Sequence, residues 1–91
     1  MAHNLGKKRV SFRIRAPHAR EVSVAGTFNN WDPSARPLKR EPDSNWAITF
    51  FLAPGKYEYR FVVDGIWTDD PSCTTRCRNQ YGGENCILEV K

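Results

Sequence analysis

The sequence has no segment in which apolar residues recur at spacings of three and four over ten positions, so no amphipathic helix is expected in its 91 residues. No apolar run approaches the roughly 18 residues of a membrane span, and no membrane partner is expected. The opening "MAHNLGKKRV" carries positive charge but no apolar stretch, and it does not read as a signal peptide. HExxH, GxSxG and glycine-rich phosphate loops are all missing, which leaves zinc-protease, serine-hydrolase and nucleotide chemistry without support. Glycoside hydrolysis needs two carboxyl groups flanking one bond. Asp69 and Asp70 are neighbours in sequence and do not face each other across a substrate, so no catalytic residue is expected. There are three cysteines, Cys73, Cys77 and Cys86. An odd number without an export signal reads as free thiols in a reducing cytoplasm, with a Cys73–Cys77 loop bridge as the alternative. A zinc site built on these thiolates lacks a fourth ligand, since neither His3 nor His18 is near them in sequence. No metal and no cofactor are expected. Internal repeats and linkers are also lacking. The chain reads as a lead-in over 1–9 followed by one domain over 10–91, short enough to bury only about 60–65% of its extended surface.

What is present is ordinary for a folded domain, 40% hydrophobic and 26% charged, but the charge is uneven. Residues 1–40 hold nine Lys+Arg against two Asp+Glu, and residues 41–91 hold five against eight, giving +7 and −3. Lys7, Lys8, Arg9, Arg13 and Arg15 fit either a patch for an acidic partner such as nucleic acid or an edge strand kept soluble by charge. The second reading is preferred, and no nucleic-acid partner is expected, because no nucleic-acid motif accompanies the basic residues.

Alternation runs through the rest. "VSFRIRA" places Val10, Phe12, Ile14 and Ala16 on one face, and "EVSVAG" resumes with Val22 and Val24. "RPLKR" is a short edge piece because of its proline. "WAITFFL" gives Trp46, Ile48, Phe50 and Leu52 inward, and "KYEYRFVV" gives Tyr57, Tyr59, Phe61 and Val63. "NCILEV" closes with Cys86, Leu88 and Val90. Six to eight short strands with frequent turn signals predict an all-β, immunoglobulin-like antiparallel sandwich.

Two of the three tryptophans do not belong to these inward faces. Trp31 lies in "GTFNNWDP", a turn-like run in which Asn29, Asn30 and Asp32 are turn formers. Trp67 follows Asp64-Gly65, a two-residue hairpin signal. That turn pairs Val62 with Trp67 and puts the indole on the outer face, diagonal to Arg60. Thr68 to Glu84 shows no strand pattern, and structureless connections of this length are commonly functional. Near its end Tyr81 precedes Gly82-Gly83, and Asn85 opens the last strand. Exposed rings with Arg60 donors and the Asn85 carboxamide suit a pyranose, whose C–H face lies on an aromatic ring while hydroxyls surround its edge. Covering about 100 Å² of ring per stacked sugar contributes on the order of 2 kcal/mol before losses. Two or three such contacts give roughly micromolar to millimolar affinity. Taken singly, each indole could instead fold back onto the sandwich.

In order, "VSVAGTFNNWDP", "LAPGKYEYRFVVDGIWTDDP" and "GGENCILEV" resemble the family 48 carbohydrate-binding modules, from about Val10 to Val90. The resemblance implies a non-catalytic module that binds α-1,4-linked glucan such as glycogen, starch or maltooligosaccharides. It implies sugar contacts at Trp31, Arg60, Trp67 and Asn85. The position of Arg60 is usually lysine in kinase-type members, that of Tyr81 a bulky aliphatic, and that of Gly83 often a hydroxyl residue. Tyr81 is expected to replace its counterpart by stacking. The implied partner besides glucan is a catalytic domain or kinase subunit. The alternative the family allows is an early-set module that braces such a partner without binding sugar.

Overall fold

Strict alternation in four long segments, broken by Gly, Pro, Asn and Asp, leaves the backbone one economical solution, two antiparallel sheets facing each other. The computed structural model describes residues 6–34 and 36–91; residues 1–5, which hold His3 and much of the expected lead-in, and residue 35 lie outside the described residues. The strands are β1 (Lys8–Arg15), β2 (Val22–Gly26), β3 (Lys39–Arg40), β4 (Asn45–Leu52), β5 (Gly55–Val63), β6 (Ile66–Thr68), β7 (Arg76–Arg78) and β8 (Glu84–Val90). Three of them form a sheet in the order β1-β4-β3, and the others form a five-stranded sheet in the order β2-β5-β8-β7, with β6 also on β5. No helix occurs among the described residues, and none is long and apolar enough to cross a membrane.

The inward faces are those the alternation predicts. Phe12, Ile14, Val22, Val24, Trp46, Phe50, Leu52, Tyr59, Phe61, Cys86 and Val90 are all buried. Ile48, Tyr57, Val63 and Leu88 pack at the margin. Phe12 is the hub of an aromatic cluster, with its centroid 5.0 Å from Tyr59, 5.2 Å from Phe28 and 5.6 Å from Phe50. The Trp46 indole N–H donates to the Ala16 carbonyl at 3.0 Å, so this buried ring keeps its hydrogen bond.

Strand β1 starts at Lys8, two residues ahead of the expected start, because Lys8 and Arg9 pair with Leu52 and Phe51. Among the described residues its other edge is unpaired, and its outward residues are Arg9, Ser11, Arg13 and Arg15. "RPLKR" crosses between layers: Leu38 N–H donates to the Val22 carbonyl at 2.8 Å, then Lys39 and Arg40 pair with β4. The Asp64-Gly65 turn has φ of 49° and 82° and fixes the predicted register, Val63 opposite Ile66 and Val62 opposite Trp67. Asp64 also accepts from Arg20 and Glu21 N–H at 2.8 and 2.9 Å, which hold its carboxyl below the usual range.

Two further expectations change. The stretch from Thr68 to Glu84 is not wholly irregular, since Arg76–Arg78 forms β7 against the start of β8. Its sequence, Arg-Cys-Arg, has no apolar alternation, so only the partner strand reveals it. The cysteines are not three free thiols: Cys73 and Cys86 form a disulfide with Cα atoms 6.0 Å apart, and Cys77 alone is free. Cys77 pairs with Asn85 on the face opposite Cys86, so the near-sequence Cys73–Cys77 bridge is not the one formed.

Candidate functional site

The outer face of the five-stranded sheet carries the site, because the residues of β5 that alternate with the core face outward. These are Glu58, Arg60 and Val62, opposite Ile87 of β8, Ala25 of β2 and Trp67 of β6 respectively. Trp31 approaches from the β2 side and Trp67 from the β6 side. Their ring centroids are 6.4 Å apart at an interplanar angle of 47°. Trp67 is 41% exposed and Trp31 is half-buried, while Ala25 and Val62 on this same outer face are buried. The two indoles thus form a roof over β5 whose upper surface meets solvent.

A dense turn holds Trp31 in place. Asn29 accepts from Gly26 N–H at 2.9 Å and donates to the Val24 carbonyl at 3.0 Å. The Trp31 N–H itself donates to the Gly26 carbonyl at 2.9 Å. Beyond it, Asp32 accepts from the Ser34 hydroxyl and N–H at 2.7 and 2.9 Å, and those bonds hold its carboxyl below the ordinary range. Gly26 has no room for a side chain, since a Cβ there would clash with the Glu58 carbonyl and the Phe28 ring.

Arg60 is fixed by an acid. Asp69 takes Arg60 Nη2 at 3.0 Å and Arg76 Nη1 at 3.1 Å, and Arg60 so held lines the cavity. Asp70 is a structural partner of another kind. It is 6% exposed and accepts from the Tyr59 hydroxyl at 2.5 Å and from Ser72. Burial first, and the Asp70 carboxylate second, push the Tyr59 hydroxyl well above the usual phenol range. Both acids are thus engaged separately.

The last strand and the loop before it form the far wall. Asn79 donates to Asn85 Oδ1 at 3.0 Å and accepts from the N–H groups of Tyr81 and Gly83 at 2.9 and 3.1 Å. Asn85 in turn donates to Glu58 Oε1 at 3.1 Å. Asn85 is 6% exposed, so its carboxamide is held rigidly, with one N–H and one lone pair left uncommitted. Tyr81 stands out at 85% exposed, with its hydroxyl accepting from Gln80 at 2.9 Å. Cys77 shares this face, and burial together with the Glu58 carboxylate raises its thiol above the ordinary range.

All five sequence-predicted residues, Trp31, Arg60, Trp67, Tyr81 and Asn85, line one open cavity of about 980 Å³. Glu58, Arg78, Asn79 and Gln80 line it too. Sequence reasoning passed over these four. Glu58 was recoverable, since it lies two residues before Arg60 and shares its face; Asn79 was not, because its role depends on loop bonds. Flat rings, fixed donors and fixed amides, with no free pair of acids among the described residues, have the chemistry that suits an uncharged polyhydroxylated ligand.

Comparison with known proteins supplies the family. Residues 10–91 match the family described as "Glycogen recognition site of AMP-activated protein kinase". The chain is similar to the 5'-AMP-activated protein kinase subunit beta-1 of Sus scrofa, 42% identical over 72 residues, 79% of this chain and 56% of that protein. The same subunit of Homo sapiens is also 42% identical, over 79% of this chain and 25% of its own length. Protein FLOURY ENDOSPERM 6, chloroplastic, of Oryza sativa subsp. japonica is 34% identical over 94% of this chain and 16% of its own length. The chain therefore spans about half, or less, of these relatives. The match across residues 10–91 places the chain in the family of the glycogen recognition site of AMP-activated protein kinase.

Proposed function

We propose that this chain binds α-1,4-linked glucan, such as glycogen, starch or maltooligosaccharides, and does no chemistry on it. The observation that carries the reading is the meeting of Trp31 and Trp67 at 6.4 Å above β5, with Arg60 and Asn85 at the edge of the roof. The indoles take the C–H faces of successive glucose units, and Arg60 donates to their hydroxyls. Tyr81, exposed on its loop, adds a third ring, and Asn85 adds its remaining N–H and lone pair. Catalysis is left out because Asp69 is ion-paired and Asp70 is buried under Tyr59, so neither is placed as an acid or base. The partner we propose beyond glucan is a catalytic domain or kinase subunit, in keeping with relatives that extend well past this domain. The compartment we propose is the cytoplasm; because the rice relative is named as chloroplastic, a plastid is the second reading.

Native gel migration with glycogen tests the proposal. The wild type should be retarded, and Trp31→Ala and Trp67→Ala should each weaken binding by roughly tenfold or more while melting as folded proteins. Unretarded wild type overturns glucan binding in favour of a module that only braces a partner.

A further inference from the structure

We propose that Glu58 is a further glucan-contacting residue, its free carboxylate oxygen accepting a hydrogen bond from one of the two vicinal hydroxyls left free on each internal glucose unit. The proposal rests on the glucan reading above and deepens it. Glu58, Arg60 and Val62 face outward in one row along β5, with neighbours in the row about 6–7 Å apart. Val62 lies under the indole roof, Arg60 beside it and Glu58 beyond, so the row passes from ring surface to donor to acceptor. A sugar hydroxyl both donates and accepts. A vicinal pair is therefore matched by a donor and an acceptor side by side, whereas Arg60 alone satisfies only its lone pairs.

Hydrogen bonding at Glu58 leaves that oxygen available. The carboxylate is an acceptor with two oxygens and about four lone-pair sites. Oε1 takes the Asn85 amide at 3.1 Å, and no lysine or arginine among the described residues pairs with Glu58. The nearby Cys77 thiol is at best a weak donor. Glu58 is half-buried and its second oxygen has no amide or cationic donor among the described residues, so it faces whatever fills the cavity, water or a ligand. A sugar hydroxyl entering that cavity replaces water as the donor. A hydrogen bond from a hydroxyl to a carboxylate is about twice as strong as a neutral one.

The test is a tryptophan-fluorescence titration of the full chain with maltoheptaose, comparing wild type with Glu58→Gln. The glutamine keeps the volume and an oxygen for Asn85 but turns the other oxygen into a donor. About tenfold weaker binding is expected, equivalent to about 1.4 kcal/mol, at an unchanged melting temperature. In parallel, the side-chain carboxylate 13C signal of Glu58 in the wild type, assigned by its loss in the variant, should move at maltoheptaose saturation. Binding of E58Q within twofold of wild type, or an unmoved carboxylate signal in the saturated wild type, overturns the proposal. A wild type that does not bind maltoheptaose removes the glucan reading itself, and that is seen before any variant is compared.

Discussion

Trp31 sits at φ of 57°, in the left-handed region, and Asn30 before it has the same φ. Asparagine tolerates that region, whereas a bulky L residue there is a genuine outlier, disfavoured by roughly 1–2 kcal/mol. Retained strain of this kind clusters at functional sites, and here it aims an indole at the cavity. Its consequence separates stability from binding. Replacing Trp31 by Gly should give a protein about 1 kcal/mol more stable than Trp31→Ala in urea denaturation, because glycine alone occupies this φ without steric cost. Both variants should lose glycogen retardation equally. A glycine variant no more stable than the alanine one would show that the loop does not hold residue 31 in this conformation. The sequence reading marked Trp31 as a ring off the core face, because its turn-forming neighbours are visible. It could not reveal the backbone angle, which the bonds from Asn29 and Gly26 impose.

At the scale of elements, the far wall of the site is held by a covalent tie that spacing alone did not identify. Cys86 lies on the core face of β8, one residue after Asn85, and Cys73 lies 13 residues earlier at the start of the loop that carries Asn79 and Tyr81. The four long strands and the Asp64-Gly65 turn were legible because alternation and positive φ are written in residue type. The Cys73–Cys86 pairing and β7 were not, since both depend on where an irregular chain runs after Pro71. The same limit hid the Asn79–Asn85–Glu58 chain of bonds, although Asn85 itself was legible from its place in the closing strand. Closing a loop of this length stabilises by about 3 kcal/mol in the chain-entropy account. The double variant Cys73→Ser, Cys86→Ser should therefore lose about 2–3 kcal/mol of unfolding free energy. Cys77→Ser should lose almost none, because its thiol lies on the opposite face and is already free. Equal losses in the two variants, measured by denaturant titration, would assign the tie to the wrong cysteines.

Across the whole molecule, one side chain joins the aromatic core to the loop that fixes Arg60. The Tyr59 ring packs on Phe12 and Phe61 with centroids 5.0 and 5.9 Å away, and its hydroxyl reaches Asp70, next to the Asp69 that holds Arg60. Because burial and the Asp70 carboxylate raise the folded phenol above its unfolded value of about 10, the folded state keeps a proton that the unfolded chain gives up. Stability from this residue is then complete below pH 10 and is lost as pH rises from there towards the raised folded value. The carboxyls of Asp32, Asp43 and Asp64 are shifted the other way, below their ordinary range by local hydrogen bonds, so their contribution is present above about pH 4 and lost as pH falls. Tyr59→Phe isolates the alkaline arm. At pH 7 the variant should be less stable by about 1–3 kcal/mol, since the buried Asp70 loses a donor. Between pH 10 and 11 the wild type should lose about 1 kcal/mol more stability than the variant, because the two proteins differ only in this hydroxyl. Parallel stability curves for the two proteins through that interval would mean that the hydroxyl is not buried against Asp70, and the link from core to binding face would fail with it.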